Sequence, residues 1–176
     1  MKIIKLPRKE FYDEDKNEFI YVDQGELVIN HSLNSLRLWE SIHHKPFLNR
    51  EEKTKEEVID YIRCMTVNTV SSEVYNNLPT SVLNQIKEYI DDPQTATTIR
   101  RENQKRNNEI ITAEIIYYWM VELQIPFECQ HWHLNQLMML IEVCSIKKQP
   151  PKKMSQAEKM AAHRKRKAAA RSRRKK

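Results

Sequence analysis

Three side chains that bind metal ions or act in catalysis lie within five positions of the sequence. They are Cys129, His131 and His133, in the stretch PFECQHWHLNQLMMLIEVC at 126–144. Thiolate and imidazole are ligands that zinc prefers in proteins, and a cysteine beside a histidine is a common catalytic nucleophile. A metal site and a Cys–His nucleophile are therefore the two reactive functions to weigh.

Helical geometry argues against a metal site. On a helix, side chains two positions apart diverge by about 200°, so His131 and His133 cannot hold one ion together. Cys129 and His133 share a face, but they supply two ligands where zinc takes three or four from the protein. His43 and His44 are adjacent in sequence and diverge in the same way. We therefore expect no metal site and no cofactor.

A nucleophile at Cys129 would need a cleft, an oxyanion donor and a group that orients His133. The sequence offers no clear candidate for these groups, so we expect no catalytic residues and no enzymatic activity. The preferred interpretation is a core helix in which His133 is a hydrogen-bonded packing residue. Its predicted apolar face is Trp132, Leu134, Leu137, Met138, Leu140, Ile141 and Cys144. A cysteine- or metal-dependent enzyme remains an alternative, which bound zinc or a reactive thiol would reveal.

The elements that would position these residues follow from the apolar pattern. KIIKLP, EFIYV and ELVIN are separated by the charged YDEDKN and by DQG around the single glycine, Gly25. They predict a small N-terminal antiparallel β-meander in which Gly25 is the left-handed turn residue. The rest predicts a bundle of about five helices and a disordered basic C-terminal tail. The predicted fold class is thus α+β, mainly α.

Capping residues and apolar spacing define three of the helices. Ser32 is the predicted N-cap of a first helix, which stops at Pro46. Thr54 and Glu57 form a predicted capping box at the start of a second helix, and Thr80 is the predicted cap of a third. The predicted inward positions are Leu33, Leu36, Trp39 and His43 in the first helix, Val58, Ile62 and Met65 in the second, and Val82, Ile86, Tyr89 and Ile90 in the third, which Pro93 ends.

Two further segments differ sharply in hydropathy. Residues 94–107, QTATTIRRENQKRN, contain almost no large apolar side chain and predict an exposed loop. Residues 108–123, NEIITAEIIYYWMVEL, are apolar on nearly every side, which is typical of a central buried helix. The aromatic run at 117–119 is accordingly expected to pack in the core.

Composition excludes several functions. One glycine in 176 residues tells against glycine-rich phosphate loops, and hence against nucleotide-dependent chemistry. Three cysteines without a CxxC pair predict a reducing compartment. The N-terminus lacks the apolar region of a secretion signal, and no run of 18 apolar residues occurs, so we expect neither export nor a membrane span.

Charge divides the chain into an acidic body and a basic tail. From residue 147 onward there are 14 Lys and Arg and one acidic residue, whereas the preceding residues hold 16 basic and 23 acidic ones. We predict a β-region at 1–30 that packs on a helical body at 31–148 as one domain, and a basic tail at 149–176 that is disordered or transiently helical. The predicted partner-binding residues are Lys152, Lys153, Arg164, Lys165, Arg166, Lys167, Arg171, Arg173 and Arg174.

Several stretches together resemble the tail assembly chaperones of long, non-contractile-tailed bacteriophages. The resemblance runs from about residue 18 to residue 155 and is carried by NHSLNSLRLWESIHHKPFL, DYIRCMT, YIDDPQTATT, AEIIYYWMVELQIPFECQHWHLNQLMMLIEVC and PPKKMS. It implies a non-enzymatic protein of the host bacterial cytoplasm that is absent from the mature virion. The implied partners are the tape measure protein, which it would keep soluble, and the major tail protein, which it would help to recruit.

The basic tail leaves a second function open. Clustered cations attract any acidic partner, and the charge alone does not distinguish nucleic-acid phosphates from an acidic coiled coil or a membrane surface. A nucleic-acid-binding protein that uses residues 152–176 is therefore the alternative to a chaperone. Self-association is also compatible with the sequence, whereas no membrane partner is expected.

Overall fold

The computed structural model describes residues 1–13, 18–22, 25–49, 51–99 and 110–148, and the single positions Met160, His163, Arg164 and Lys167. Only the backbone is described at Lys9 and over 11–13 and 18–22. The chain divides into two compact units, Met1–Val143 and Cys144–Lys176. The first unit is an antiparallel N-terminal β-region followed by helices, so the predicted fold class, α+β and mainly helical, is confirmed.

The β-region consists of four short strands: β1 (Lys2–Lys5), β2 (Lys9–Asp13), β3 (Glu18–Val22) and β4 (Glu26–Ile29). Strand β2 was not expected, since it overlaps the charged YDEDKN. A meander pairs each strand with the next, but here β1 pairs with β4 and β2 pairs with β3, as two two-stranded sheets.

Burial explains the β1–β4 pairing. Ile4 lies directly opposite Leu27, and both side chains are buried together with that of Ile29, two positions further along β4. Because side chains alternate across a strand, this register places the apolar positions of β4 on the core side. Gly25 has a φ of 76° just before β4, so the predicted left-handed residue is confirmed.

Helices α1 (Leu33–His43) and α2 (Lys55–Met65) begin at the predicted caps. The Ser32 hydroxyl oxygen accepts from the amide of Ser35, and the Ser35 hydroxyl oxygen accepts from the amide of Ser32. Thr54 and Glu57 make the predicted capping box. Because both boxes satisfy amides that a helix start leaves open, these two starts are determined locally.

The predicted inward face of α2 needs one correction. Ile62 and Met65 are buried, but Val58 is 42% exposed. Glu57 is the buried residue of the first turn, because its carboxylate completes the capping box and binds Lys45. Tyr61 supplies the inward position one turn later.

Two helices lie between α2 and the predicted loop at 94–107. The predicted turn SSEVYNN contains the short α3 (Ser72–Asn76), and α4 (Thr80–Asp91) ends before Pro93 as expected. The N-cap of α4 is Pro79 rather than Thr80, and no side chain caps it. Val82, Ile86 and Tyr89 are buried, and Ile90 packs partly buried against the same core.

One hydrophobic core joins the β-region to the helices. The indole N–H of Trp39 donates to the Glu57 carbonyl at 2.9 Å and ties α1 to α2. The buried members of this core are Ile4, Leu6, Leu27, Ile29, Trp39, Tyr61, Ile62, Met65, Tyr75, Val82, Ile86 and Tyr89. The β1–β4 sheet therefore packs on the helices within the first unit.

The last helices are α5 (Ala113–Leu123) and α6 (Leu134–Lys148), separated by a 3₁₀ turn at Phe127–His131. The prediction of a central buried α5 is wrong. Only Ala113, Ile116 and Met120 are fully buried in it, and they form a single stripe. Its remaining apolar side chains are half-buried or exposed.

The predicted loop at 94–107 and the predicted disordered tail fall largely outside the described residues. Residues 94–99 form neither helix nor strand, and most of them are exposed. In the tail, the four described positions have helical backbone and exposed side chains.

Candidate interaction surface

The residues with reactive side chains at 129–133 do not lie on one helix. Cys129 belongs to the 3₁₀ turn, Trp132 is extended, and His133 forms an isolated antiparallel bridge with Ser32. The amide of Leu134 donates to the His31 carbonyl at 2.8 Å, and α6 begins only there. The helical spacing assumed for Cys129 and His133 is therefore wrong, because a bridge to a distant segment interrupts the helix.

His133 is nevertheless the packing residue that the sequence predicts. Its Nε2 lies 2.9 Å from the Tyr89 carbonyl, and its Nδ1 accepts from the Asn135 amide at 3.3 Å. This pattern fixes a neutral ring with the proton on Nε2, since a carbonyl can only accept. Burial lowers the pKa of His133, although the Tyr89 carbonyl opposes that shift. Both ring nitrogens are thereby used.

A second buried histidine, His31, contacts the same region and was not singled out by the sequence. Its Nδ1 lies 2.7 Å from the Tyr61 hydroxyl, and its ring meets that of His133 edge-on at a centroid distance of 5.0 Å. Burial, with the nearby His133 imidazole adding to it, lowers the pKa of His31 to about 3. Burial also raises the pKa of Tyr61, so the pair is neutral at pH 7.

Neither of the two arrangements weighed from the sequence, a metal site and a Cys–His nucleophile, is favoured by the described residues. Within the described part of the chain, no three His, Cys, Asp or Glu side chains lie close enough to share a metal ion. Cys129 is buried, and burial, with the charge of Glu128 adding to it, raises the pKa of its thiol. A catalytic cysteine needs the opposite shift, because the thiolate is the nucleophile.

The other candidates are spread over the surface. His43 stacks on Trp39 at a centroid distance of 4.4 Å, His44 is the left-handed C-cap of α1, and His131 is exposed. Of the predicted tail residues, Arg164 and Lys167 are exposed helical positions, and the other seven lie outside the described residues.

Several exposed apolar side chains lie in and just after the helix that the sequence predicted to be buried. Tyr118 is 62% exposed and Val121 60%, and they lie three positions apart on α5. Phe127, in the 3₁₀ turn, is 54% exposed, and its ring lies 6.2 Å from that of half-buried Tyr117. Residues three and four apart are neighbours on a helix, so these side chains are contiguous. We call Tyr117, Tyr118, Val121 and Phe127 the α5–turn surface.

Specific bonds hold this surface in place. The Tyr117 hydroxyl donates to the side-chain carbonyl of Gln130 at 2.8 Å, which fastens α5 to the 3₁₀ turn. The Glu40 carboxylate of α1 accepts from the amides of Phe47 and Ala113, each at 2.8 Å. Glu40 thus anchors the N-terminus of α5 to α1 from a distant position in the sequence. These bonds attach the start of α5 to α1 and its middle to the 3₁₀ turn, which gives the surface a defined position.

An open groove of about 320 Å³ runs between the end of α1 and the start of α5. Its lining residues are Glu40, Ser41, His44, Lys45, Pro46, Thr112 and Glu114. Most of these residues have polar side chains, with both signs of charge, and Glu40 is already used by two backbone amides. None of the four residues of the α5–turn surface lines the groove.

The signal for this surface was present in the sequence. Glu114, Tyr118 and Glu122 follow one another at spacings of four, so the middle residue shares a helix face with two carboxylates. A face that carries two glutamates is solvated, and the aromatic residue between them is exposed with it. Mean hydropathy over the segment hides this pattern.

Among the described helices, none is both long enough and apolar enough to cross a membrane. No protein family, no curated protein and no solved structure matches this chain.

Proposed function

We propose that this protein is a phage tail assembly chaperone. It binds the tape measure protein in the host cytoplasm, keeps it soluble, helps to recruit the major tail protein, and is left out of the finished virion. The observation that supports the proposal is the α5–turn surface, an exposed aromatic and aliphatic patch on a rigidly anchored helix. The resemblance of residues 18–155 to that family supplies the identity of the partner.

The physical argument rests on what a tape measure protein presents. A very long amphipathic helix without a partner exposes an apolar stripe along its whole length, and such stripes aggregate. A shallow apolar surface on a small protein covers part of a stripe, and many copies cover the rod. Tyr118, Val121 and Phe127 provide aromatic and branched side chains of the kind that dominate such contacts.

A binding role also suits the chemistry of the buried polar groups. His31 and His133 are neutral and hydrogen-bonded, and the raised pKa of Cys129 keeps its thiol protonated. These residues stabilise the fold instead of facing a substrate. We therefore propose that the protein acts through its surface and is not an enzyme.

Coexpression with the tape measure protein tests the proposal. We expect the wild-type chain to raise the soluble yield of the tape measure protein and to co-purify with it. Replacing Tyr118 and Val121 by serine should weaken co-purification by about tenfold or more, since buried aromatic anchors contribute most of the affinity at such contacts. The matched control is Val58→Ser, which alters an exposed valine on α2. Unchanged solubility without co-purification would overturn the proposal.

Nucleic-acid binding is the second candidate, and the charge of the tail supports it. Arg164 and Lys167 are exposed on helical backbone within a segment that holds 14 basic residues and one acidic residue. This function predicts strongly salt-dependent binding to DNA that disappears when residues 152–176 are deleted. For the chaperone, the same deletion should spare part of the tape measure binding, so one variant separates the two functions.

A further inference from the structure

We infer that the α5–turn surface selects amphipathic helices whose apolar stripe is flanked by Lys and Arg. This inference rests on the proposed function, because it names the chemistry of the partner segment at the same surface. Two properties of the surface carry it: contiguous exposed apolar side chains, and a border of carboxylates with almost no cations.

The charge of the segment that builds the surface is one-sided. Between residues 110 and 146 the chain has no Lys or Arg, and it has four acidic residues: Glu114, Glu122, Glu128 and Glu142. The chain as a whole is 31% charged, with more basic than acidic residues, so a stretch of this length without a cation is unusual. An apolar helix bound here would meet negative charge at its flanks.

The carboxylates stand next to the apolar side chains. Glu114 lies one turn before Tyr118 on α5. Burial raises the pKa of Tyr117, and the nearby Glu114 charge adds to this shift. Glu128 directly follows Phe127, and both side chains are exposed. Glutamates therefore border both ends of the surface. Because the low dielectric of an apolar contact strengthens nearby charge interactions, their position matters more than their number.

One cation adjoins the surface from α1. Arg37 acts on the Tyr117 hydroxyl and lowers its pKa, and its guanidinium also donates to the Asn34 side chain at 3.2 Å. Its charge thus lies beside the Tyr117 hydroxyl, which also donates to Gln130 of the 3₁₀ turn. The Glu side chains of α5 and the turn, Glu114, Glu122 and Glu128, give the rest of the border its acidic charge.

A second copy of this chain fits the surface poorly. In a two-fold symmetric contact the same patch lies on both partners, so the glutamates at its border, Glu114 and Glu128, would meet the acidic border of the other copy across an apolar interface. Like charges placed together at a contact oppose association. An amphipathic helix with basic flanks removes this repulsion and adds pairing at the border.

The test uses the full chain and three synthetic amphipathic helices. Two share one leucine stripe and differ only in having Lys or Glu at the flanking positions, and the third has the Lys flanks with serine in the stripe. Fluorescence anisotropy gives the affinities. We expect the Lys-flanked leucine helix to bind about tenfold more tightly than the Glu-flanked one at low salt, because several exposed pairs add up, and to lose that preference at high salt.

A charge-reversed variant locates the preference. Glu114→Lys combined with Glu128→Lys should reverse the order of the two leucine helices. Glu51→Lys combined with Glu88→Lys is the control, since it makes the same change in net charge at exposed sites outside this surface. Equal affinities for the two leucine helices, tight binding of the serine helix, or the same effect in both variants would each overturn the inference. A dimer in sedimentation that Val121→Ser dissociates would also overturn it.

The outcomes separate the inference from the proposed function. If the tape measure protein co-purifies through Tyr118 and Val121 but the peptides show no preference for charge, only the inference fails. If the peptides show the preference and the tape measure protein does not co-purify, the inference stands and the chaperone function fails.

Discussion

The hydroxyl of Tyr61 lies 2.7 Å from Nδ1 of His31, in the interior and 30 positions away along the chain. The bond joins α2 to His31, which directly precedes the N-cap of α1. The His31 carbonyl in turn accepts from the amide of Leu134, the first residue of α6. One buried histidine thus holds together the start of α1, the middle of α2 and the start of α6. Its protonation state matters for the whole fold.

We expect stability to fall as the pH is lowered from 7 to 5. The pKa of His31 is about 3 in the folded chain and near 6.5 when unfolded, so the unfolded state binds more protons across this window. The contribution of His31 to stability is fully present at pH values above its unfolded-state pKa. It is lost as the pH falls toward its folded-state pKa. By pH 5 the loss is about 2 kcal/mol from His31, and His133 adds to it in the same direction.

Urea denaturation at several pH values measures this slope. The carboxylates of Glu57 and Asp92, whose pKa values are lowered by their hydrogen bonds, act in the same direction but at lower pH. Between pH 6.5 and pH 5 the change in stability therefore comes from the histidines. His31→Gln should flatten the slope there, whereas His131→Gln, at an exposed position, should leave it unchanged. Identical slopes in wild type and His31→Gln would contradict the assignment.

Tyr61→Phe removes the partner of His31 without changing the packing volume. We expect the free energy of unfolding to fall by about 1–3 kcal/mol, because Nδ1 of a buried imidazole is left without a bond. Tyr118→Phe is the control, since that hydroxyl belongs to an exposed side chain, and its effect should stay within about 0.5 kcal/mol. Equal effects of the two substitutions would show that the buried bond contributes nothing.

Local signals in the sequence predicted the starts of α1 and α2. The capping boxes at Ser32 and Thr54 involve residues three apart, so a local pattern is enough to identify them. The break before α6 was missed because it depends on the bridge between Ser32 and His133, which lie 101 positions apart in sequence. The apolar residues keep helical spacing through this break in the sequence, even though the helix itself is interrupted there.

The candidate surface was missed for a different reason. Hydropathy predicts that an apolar segment avoids water, but it does not say whether this chain or a partner covers it. In α5 only the stripe through Ile116 and Met120 is covered internally, and Tyr118 and Val121 are not. The prediction of α5 as a helix was sound, and the prediction that it lies at the centre of the core was not.

Glu40→Gln should loosen α5 while leaving the core intact. The two Glu40 carboxylate oxygens accept separately from Phe47 and Ala113, and a glutamine side chain has one accepting oxygen. One buried amide then loses its partner, at a cost of about 1–3 kcal/mol. Hydrogen exchange should become faster at the start of α5, whereas Glu88→Gln, on an exposed position of α4, should have little effect. Unchanged exchange in Glu40→Gln would remove Glu40 as the anchor.

The same substitution also tests whether the rigidity of α5 matters for binding. Tyr118 and Val121 keep their identity in Glu40→Gln, so a weaker interaction with the Lys-flanked helix would come from lost order at the surface. We expect a loss smaller than that of the serine variants. An undiminished affinity alongside faster exchange would show that the partner orders α5 on its own.

Alkylation by iodoacetamide distinguishes a packing cysteine from a reactive one. Cys129 is buried and its thiol pKa is raised, so in the folded chain it should react more slowly than in the urea-unfolded chain at pH 7.5. Mass spectrometry of the peptides resolves it from Cys64, a half-buried thiol whose pKa burial also raises. A Cys129 that reacted faster in the folded chain would require a stabilised thiolate there. That result would revive the enzyme alternative, because the packing of the 3₁₀ turn against α1 does not account for a stabilised thiolate.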